Sequence, residues 1–163
     1  MPLAPGEALA LAGMMGSGKS TVARILGRLL RRPVVSTDAL VEARAGKPIA
    51  QIFAEDGEPT FRALERAAVA SLRGDLVADL GGGAFCDPAG ADHLLRVGRI
   101  VFLDVSEAEA ARRIGGDAGR PLAASWAPLR ARRAPLYLRA HLRVAVDGLA
   151  PEAVARRILE ALG

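Results

Sequence analysis

The chain has 163 residues, of which 51% are hydrophobic and 25% are charged, and its formal net charge is +4. This length and balance predict one globular domain with an apolar core, and they exclude an intrinsically disordered chain. No apolar run reaches the roughly 18 residues of a membrane-spanning helix, so a membrane protein of that type is excluded as well.

Short apolar runs alternate with segments of helical periodicity along the whole chain. The first run, residues 8–12, stops at Gly13 and predicts a buried strand rather than a helix. Further strands are predicted at residues 33–36, 76–80, 99–103 and 142–146. Helices are predicted at residues 19–30, 38–45, 49–56, 60–72, 87–96, 106–114, 128–140 and 151–162. This alternation predicts a single three-layer α/β/α domain over residues 1–163, with helices on both faces of a parallel sheet.

Two local features refine this prediction. Ser106 is followed three residues later by Glu109, the spacing of a reciprocal capping box at a helix start. Residues 115–127 are rich in Gly, Pro and Ala and have weak periodicity, so we expect a mobile lid there.

Residues 13–21 match the phosphate-loop pattern G-x-x-x-x-G-K-[ST], between a predicted strand and a predicted helix. In such a loop, successive backbone N–H groups point at phosphate oxygens and the helix dipole adds to the attraction. Lys19 is placed to reach the β- and γ-phosphates, and the Ser20 hydroxyl suits Mg²⁺, which prefers oxygen ligands. The motif therefore predicts ATP binding through Gly16, Ser17, Gly18, Lys19, Ser20 and Thr21.

The remaining motifs resemble those of the shikimate kinase family, in its order and at nearly its spacing. They are Ser36-Thr37-Asp38, Ile49 to Phe53, Gly57 to Arg62 with Glu65, Leu80 to Ala84, Gly119 to Leu122 and Arg132 to Tyr137. The resemblance covers almost the whole chain, and its F-R-x-x-E, GGGA and R-A-P-L-Y blocks are far more specific than the phosphate loop. It implies a P-loop kinase domain with a five-stranded parallel sheet in the order 2-3-1-4-5. It also implies Mg²⁺-dependent transfer of the ATP γ-phosphoryl group to the 3-hydroxyl of shikimate, in the synthesis of chorismate and the aromatic amino acids.

The resemblance assigns roles on the acceptor side of the site. It implies that Asp38 binds the ring hydroxyls of shikimate and orients or deprotonates the attacking one. Arg62 and Arg133 correspond to a clamp on the carboxylate, a group that a guanidinium binds with two parallel hydrogen bonds. Gly82 and Gly83 let backbone N–H groups approach the ring, because glycine has no Cβ.

The resemblance also assigns roles within the predicted substrate-binding region, residues 36–72, and within the lid. Glu65, one turn beyond Arg62, is placed to hold that guanidinium. Arg120 corresponds to the family's lid arginine, which contacts the phosphates of ATP and joins Lys19 and Asp38 as a catalytic residue. Arg113 is assigned to ATP near the adenine, with an exposed residue at a helix end as the alternative.

The chain departs from the family at the expected metal site. The family carries D-x-D at the end of the second strand, and Ser36 stands at the first position here. We hypothesise that the carboxylate has moved to Asp79, at the end of the third strand, so that Asp79 and Ser20 hold Mg²⁺. The alternative is a metal held by Ser20, phosphates and waters, with Asp79 as a simple strand-end residue.

The lid is a second departure. The interval from Arg120 to Arg133 is several residues shorter than in familiar members, and it contains Trp126, for which the family pattern has no role. The short lid and Ser36 leave open a non-catalytic nucleotide-binding regulatory module. A gluconate or nucleoside-monophosphate kinase is the alternative within the same enzyme class.

Composition also bounds partners and location. The basic excess, with 4% aromatic residues to stack on bases, favours anionic small molecules over nucleic acid. The one cysteine, Cys86, excludes an internal disulfide, and the first residues lack the basic segment of a signal peptide. We therefore expect a cytoplasmic monomer that binds shikimate and ATP and contacts neither nucleic acid nor membranes.

Overall fold

One parallel sheet organises the part of the chain that the computed structural model describes, residues 2–115 and 124–163. Within these residues the strands are β1 (Ala8–Ala12), β2 (Val34–Ser36), β3 (Val77–Asp79), β4 (Gly98–Asp104) and β5 (Leu142–Ala145). All neighbouring pairs are parallel and the order is β2-β3-β1-β4-β5, which confirms the predicted topology.

Eight α-helices connect and flank the strands in the described residues. They are α1 (Lys19–Leu30), α2 (Thr37–Ala45), α3 (Ile49–Glu55), α4 (Glu58–Ala70), α5 (Pro88–Val97), α6 (Glu107–Gly115), α7 (Trp126–Tyr137) and α8 (Pro151–Leu162). A short 3₁₀ turn, Ala84–Cys86, follows β3 and had no counterpart in the predicted elements.

The central strand places the phosphate loop in the middle of the molecule. All five residues of β1 are buried, as expected for a strand with a neighbour on each edge and helices on each face. Its carboxyl end leads directly into residues 13–18, so the loop emerges where the carboxyl ends of β2 and β3 also meet. This edge of a parallel α/β sheet is where ligands bind in such folds.

A second, smaller apolar cluster supports the helices on the acceptor side. Val41, Ile52, Phe61 and Ala68 are buried together and join α2, α3 and α4 into one unit. These helices lie within residues 36–72, the predicted substrate-binding region. The small cluster therefore gives that region a packing core separate from the main one under the sheet.

Helix α7 differs most from its predicted bounds, and it ends at Tyr137 rather than at residue 140. Helix α7 begins at Trp126 rather than at residue 128, so the last two residues of the predicted lid are helical. Pro128 is compatible with this start, because the first turn of a helix needs no backbone N–H donor. Residues 116–123, which hold most of the predicted lid, including Arg120, lie outside the described residues.

The predicted capping box at the start of α6 is only half correct. The Ser106 hydroxyl accepts from the Glu109 N–H at 3.1 Å, as predicted. However, the Glu109 carboxylate pairs with Arg112 and Arg113 at 2.6 and 3.1 Å, and Asp147 accepts the Ser106 N–H instead. Charge-assisted bonds to guanidinium groups are stronger than a bond to a backbone N–H, which explains the exchange.

Among the described helices, none combines the length and the hydropathy that crossing a bilayer requires.

Candidate active site

A cleft of about 810 Å³ opens at the carboxyl ends of β1, β2 and β3. The predicted site residues that line it are Gly16, Ser17, Gly18, Lys19, Ser20, Thr21, Asp38, Arg62, Asp79, Gly82, Gly83 and Arg133. Of the other predicted site residues, Arg113 lines an adjoining cavity and Arg120 lies outside the described residues. The fold therefore brings the phosphate loop and the predicted acceptor residues to one place.

Lys19 is the cation at the base of this cleft. Its ammonium group donates to the Gly13 carbonyl at 2.6 Å, which folds the side chain back over its own loop. Burial lowers the pKa of Lys19 to about 8, although the carboxylates of Asp79 and Asp38 partly oppose the shift. A group with this pKa gains charge when an anion enters the cleft.

Two carboxylates face the lysine, one from the end of β3 and one from the first turn of α2. The Asp79 carboxylate accepts from the Ser20 hydroxyl at 2.6 Å, which joins the end of β3 to the start of α1. Burial raises the pKa of Asp38, and the charges of Asp79 and Glu42 add to the shift while Lys19 opposes it. The raised pKa makes the Asp38 carboxylate a better proton acceptor than an exposed aspartate.

Ser36 caps the helix that carries Asp38. Its hydroxyl accepts from the Ala39 N–H at 3.2 Å, and its backbone pairs with Asp79 in the sheet register. Aspartate is also a common N-cap residue, but the N-cap of α2 is Ser36 and not Asp38. The Asp38 side chain is thereby left to line the cleft.

Arg62 and Arg133 converge on the glycine run after β3. A carbon atom placed on Gly83 would lie 2.8 Å from a nitrogen of Arg62 and 3.2 Å from a nitrogen of Arg133. At Gly82, such an atom would lie 3.1 Å from Arg133. A side chain at either position would displace a guanidinium group, so glycine lets the two guanidinium groups share one corner of the cleft.

The position of Arg62 is set by its own helix. Its guanidinium donates to Glu65 at 2.9 Å, as predicted, and lies 3.5 Å from Glu58. It also lies over the Phe61 ring, which packs against Phe53 with the ring centroids 4.7 Å apart. Burial raises the pKa of Glu65 despite the pairing with Arg62, because desolvation of the carboxylate outweighs the attraction.

Helix α7, which carries Arg133, is tied to the glycine run through a residue to which the sequence analysis gave no role. The Tyr137 hydroxyl, one turn beyond Arg133, donates to the Gly82 carbonyl at 3.2 Å. The Tyr137 ring stacks on Phe102 of β4 at a centroid distance of 4.4 Å. Tyr137 belongs to the R-A-P-L-Y block, so the resemblance marked its segment without giving it a role.

Thr37 is a second positioning residue that sequence reasoning missed. Its side chain is fully buried, and its hydroxyl accepts from the Gly81 N–H at 2.7 Å. A Cβ on Gly81 would collide with the Asp38 carboxylate. This short polar contact couples the start of α2 to the glycine run. The available signal for this role in the sequence was a Thr directly beside Asp38.

The adjoining cavity, of about 450 Å³, lies on the other side of the phosphate loop. Arg113 forms part of its wall, and its guanidinium donates to Glu109, to the Gly16 carbonyl and to the Val146 carbonyl. Arg113 is therefore an anchored residue and not an exposed one at a helix end. Leu149 gives the same cavity an apolar surface.

The residues present fit a magnesium ion held by few protein ligands. In residues 2–115 and 124–163, no group of three or more His, Cys, Asp or Glu side chains forms a metal cage. The Ser20 hydroxyl and the Asp79 carboxylate are oxygen donors in contact beside the phosphate loop. Mg²⁺ commonly takes one or two protein oxygens and completes its shell with phosphates and waters, so this pair suits it.

Comparisons with known proteins agree with the geometry. A family model described as shikimate kinase matches residues 15–163. A shikimate kinase from Mycobacterium tuberculosis (strain ATCC 25177 / H37Ra) is 44% identical, and the alignment covers 93% of this chain and 91% of the relative. The solved structure of a shikimate kinase from Acinetobacter baumannii, in complex with shikimate, is 30% identical with a TM-score of 0.86, covering 96% of this chain and 92% of that one.

A more distant solved structure shares the fold alone. A gluconokinase from Sinorhizobium meliloti 1021 is 20% identical with a TM-score of 0.61, covering 96% of this chain and 91% of its own.

We predict that ADP binding takes up a proton at Lys19. At pH 8 about half of the lysines are neutral in the free protein, and bound phosphates favour the charged form, so binding takes up about half a proton. Below pH 7 Lys19 is already charged, and its uptake vanishes. Calorimetry at pH 8 in two buffers of different ionisation enthalpy measures the uptake. Lys19→Met removes it, and equal uptake in both proteins would contradict the assignment.

Proposed function

This chain belongs to the shikimate kinase family, and we propose on that basis that it transfers the γ-phosphoryl group of ATP to the 3-hydroxyl of shikimate. The products are ADP and shikimate 3-phosphate, an intermediate on the route to chorismate and the aromatic amino acids. The observation that carries the proposal is the convergence of Arg62 and Arg133 at Gly83, in the same cleft as Lys19 and Asp38.

The acceptor pocket suits an acid that also carries hydroxyl groups. Two guanidinium groups in one corner form a strong site for a carboxylate, because each donates two parallel hydrogen bonds to its oxygens. The Asp38 carboxylate, elsewhere in the cleft, accepts hydrogen bonds from ring hydroxyls. A cyclic trihydroxy acid satisfies both ends, with its attacking hydroxyl between Asp38 and the phosphate loop.

In the transfer step, the hydroxyl oxygen bonds to the γ-phosphorus and the bond from that phosphorus to the bridging oxygen breaks. ADP leaves with the electron pair. Asp38 orients the hydroxyl, and its raised pKa favours acceptance of the proton. Lys19 neutralises charge that develops on the phosphate oxygens, and the enzyme contributes mainly through positioning and electrostatics.

We assign Mg²⁺ to Ser20 and Asp79, whose side chains are already in contact. When bound, the ion neutralises negative charge on the phosphoryl oxygens.

Arg113 joins the nucleotide site from the adjoining cavity, which suits the adenine. Arg120 is proposed to contact the phosphates of ATP. Arg120 lies outside the described part of the chain, so the matching motif alone supports this role.

The cytoplasmic location, the monomeric state and the absence of nucleic-acid and membrane partners stay predictions from composition. A regulatory module without catalysis is disfavoured by the retention of Lys19, Asp38, Arg62 and Arg133 in one cleft.

The first prediction from this proposal concerns the acceptor. With ATP and Mg²⁺, ADP release is expected to depend on shikimate and to stay at the ATPase background with gluconate or AMP. A coupled assay for ADP with the three acceptors in parallel measures this. Turnover on gluconate or AMP would favour the related kinases, and ATP binding without turnover on any acceptor would favour a regulatory module.

The second concerns the carboxylate clamp. Arg133→Lys keeps the charge but loses the planar fork, and hydrogen bonds to charged groups contribute about 1.5–3 kcal/mol. The Kd for shikimate should therefore rise about tenfold or more, with the Kd for ADP nearly unchanged. Calorimetry with each ligand measures both. Arg132→Lys, an exposed neighbour on α7, is the matched control, and equal effects in the two variants would count against the clamp.

The third concerns the metal. Mg²⁺ should tighten ADP binding in the unmodified protein, and Asp79→Asn should remove most of that gain and raise the Mg²⁺ requirement for turnover. Titration of Mn²⁺ followed by electron spin resonance provides a readout that is independent of turnover. Ser36→Asp in the Asp79→Asn background should restore part of the effect, because position 36 is the neighbour of position 79 on the adjacent strand but lies farther from Ser20. An unchanged metal requirement in Asp79→Asn would leave Ser20, phosphates and waters as the ligands.

A further inference from the structure

Trp126 connects α7 to the phosphate loop. It is the first residue of the helix, and only 6% of its surface is exposed. Its indole N–H donates to the Met15 carbonyl at 3.1 Å, across 111 positions of sequence. The acceptor and metal sites make no use of this residue, and the family motifs gave it no role.

The bonded carbonyl lies within a tight turn. Residues 14–17 form a β-turn closed by a bond from the Ser17 N–H to the Met14 carbonyl at 3.1 Å, with Met15 and Gly16 as the central residues. Gly16 has φ +87°, the value expected at the third position of a type II turn. A type I turn differs chiefly by a flip of the central peptide, here the one between Met15 and Gly16.

The orientation of that peptide decides which group faces the cleft. In a trans peptide the C=O and the N–H point in opposite directions, and the described residues contain no cis peptide bond. With the Met15 carbonyl directed at Trp126, the Gly16 N–H is directed to the other side. Gly16 lines the cleft, where N–H groups of such loops meet phosphate oxygens.

Each carbonyl of residues 13–16 accepts a hydrogen bond, and the donors are the Lys19 ammonium, the Ser17 N–H, the Trp126 indole and the Arg113 guanidinium. The two central peptides of the loop thus depend on side chains from distant segments. Because glycine tolerates both signs of φ, the Met15–Gly16 peptide has little intrinsic preference for either orientation. The Trp126 indole is an external donor that favours the observed orientation.

We propose that Trp126 is a positioning residue for the nucleotide: its indole N–H holds the Met15–Gly16 peptide in the orientation that presents the Gly16 N–H to a phosphate. The inference rests on the proposed function only in that the loop binds a nucleoside diphosphate or triphosphate. It does not depend on the identity of the acceptor.

Trp126→Phe keeps the buried ring and removes the donor. One hydrogen bond contributes about 0.5–1.5 kcal/mol, so the Kd for ADP, measured by calorimetry without acceptor, should rise about threefold to tenfold. The Kd for shikimate, measured alone, should stay within about twofold. Equal ADP affinity in the variant and the unmodified protein would overturn the proposal. Equal weakening of both ligands with a lower Tm would overturn it too, because that pattern indicates a purely structural role.

Tyr137→Phe is the matched comparison, because it removes one hydroxyl hydrogen bond from the other end of the same helix. That bond reaches the Gly82 carbonyl on the acceptor side, so the variant should weaken shikimate and spare ADP. The two variants should therefore show opposite patterns of ADP and shikimate affinity. The same pattern in both would overturn the assignment of Trp126 to the nucleotide.

The unmodified protein offers a test that does not require a folded variant. Trp126 is the one tryptophan of the chain, so its indole N–H gives a single side-chain resonance in a ¹H–¹⁵N spectrum. That resonance should shift on titration with ADP and exchange with solvent more slowly than an exposed indole. No response to saturating ADP would overturn the proposal. A protein that binds ADP in this way but does not phosphorylate shikimate would refute the proposed function alone.

Discussion

The cleft collects charges of both signs in a partly buried space, and contacts from several elements hold them in place. Lys19, Arg62 and Arg133 all line it, and the lowered pKa of Lys19 reflects burial together with the repulsion from Arg133. Four carboxylates, Asp38, Glu42, Glu65 and Asp79, line the same cleft. Anionic substrates stabilise the charged form of Lys19 and pair with the guanidinium groups, so binding relieves the repulsion between Lys19 and Arg133.

The two arginines lie close to the backbone at positions that carry no side chain. The glycine run after β3 lies against Arg62 and Arg133, and the bond from Gly81 to Thr37 fixes it relative to Asp38. Helix α7 then joins both halves of the site, since its first residue contacts the phosphate loop and its last contacts the glycine run. A rigid connection of this kind places the acceptor hydroxyl and the γ-phosphate at a defined separation, which is the main requirement of phosphoryl transfer.

Local features of the sequence predicted the elements whose ends are clearly marked by the residue pattern. Strand β1 and helices α1 and α8 have the predicted bounds, because apolar periodicity and the flanking Gly and Pro residues mark them. The sheet order and the shared location of Asp38 and Arg62 came from the family resemblance. The hydrogen bond from Trp126 spans 111 positions of sequence and the one from Tyr137 spans 55. Local patterns carry no information about such contacts. Ser36 as the cap of α2 was not predicted, because Ser, Thr and Asp all suit that role and residue type alone does not choose among Ser36, Thr37 and Asp38.

The register of the sheet explains how one carboxylate can replace another. Ser36 and Asp79 are direct neighbours on β2 and β3, and adjacent strands lie about 4.8 Å apart. Moving the carboxylate from β2 to β3 therefore shifts it by about one strand spacing, and toward β1, whose loop carries Ser20. The 2.6 Å contact between Asp79 and Ser20 is consistent with the proposed shift. A carboxylate at position 36 would stand one strand farther from Ser20, and it would compete with the cap that holds the start of α2. The serine and the aspartate are consequently one arrangement: position 36 caps the helix that carries Asp38, and position 79 supplies the charge beside the phosphate loop.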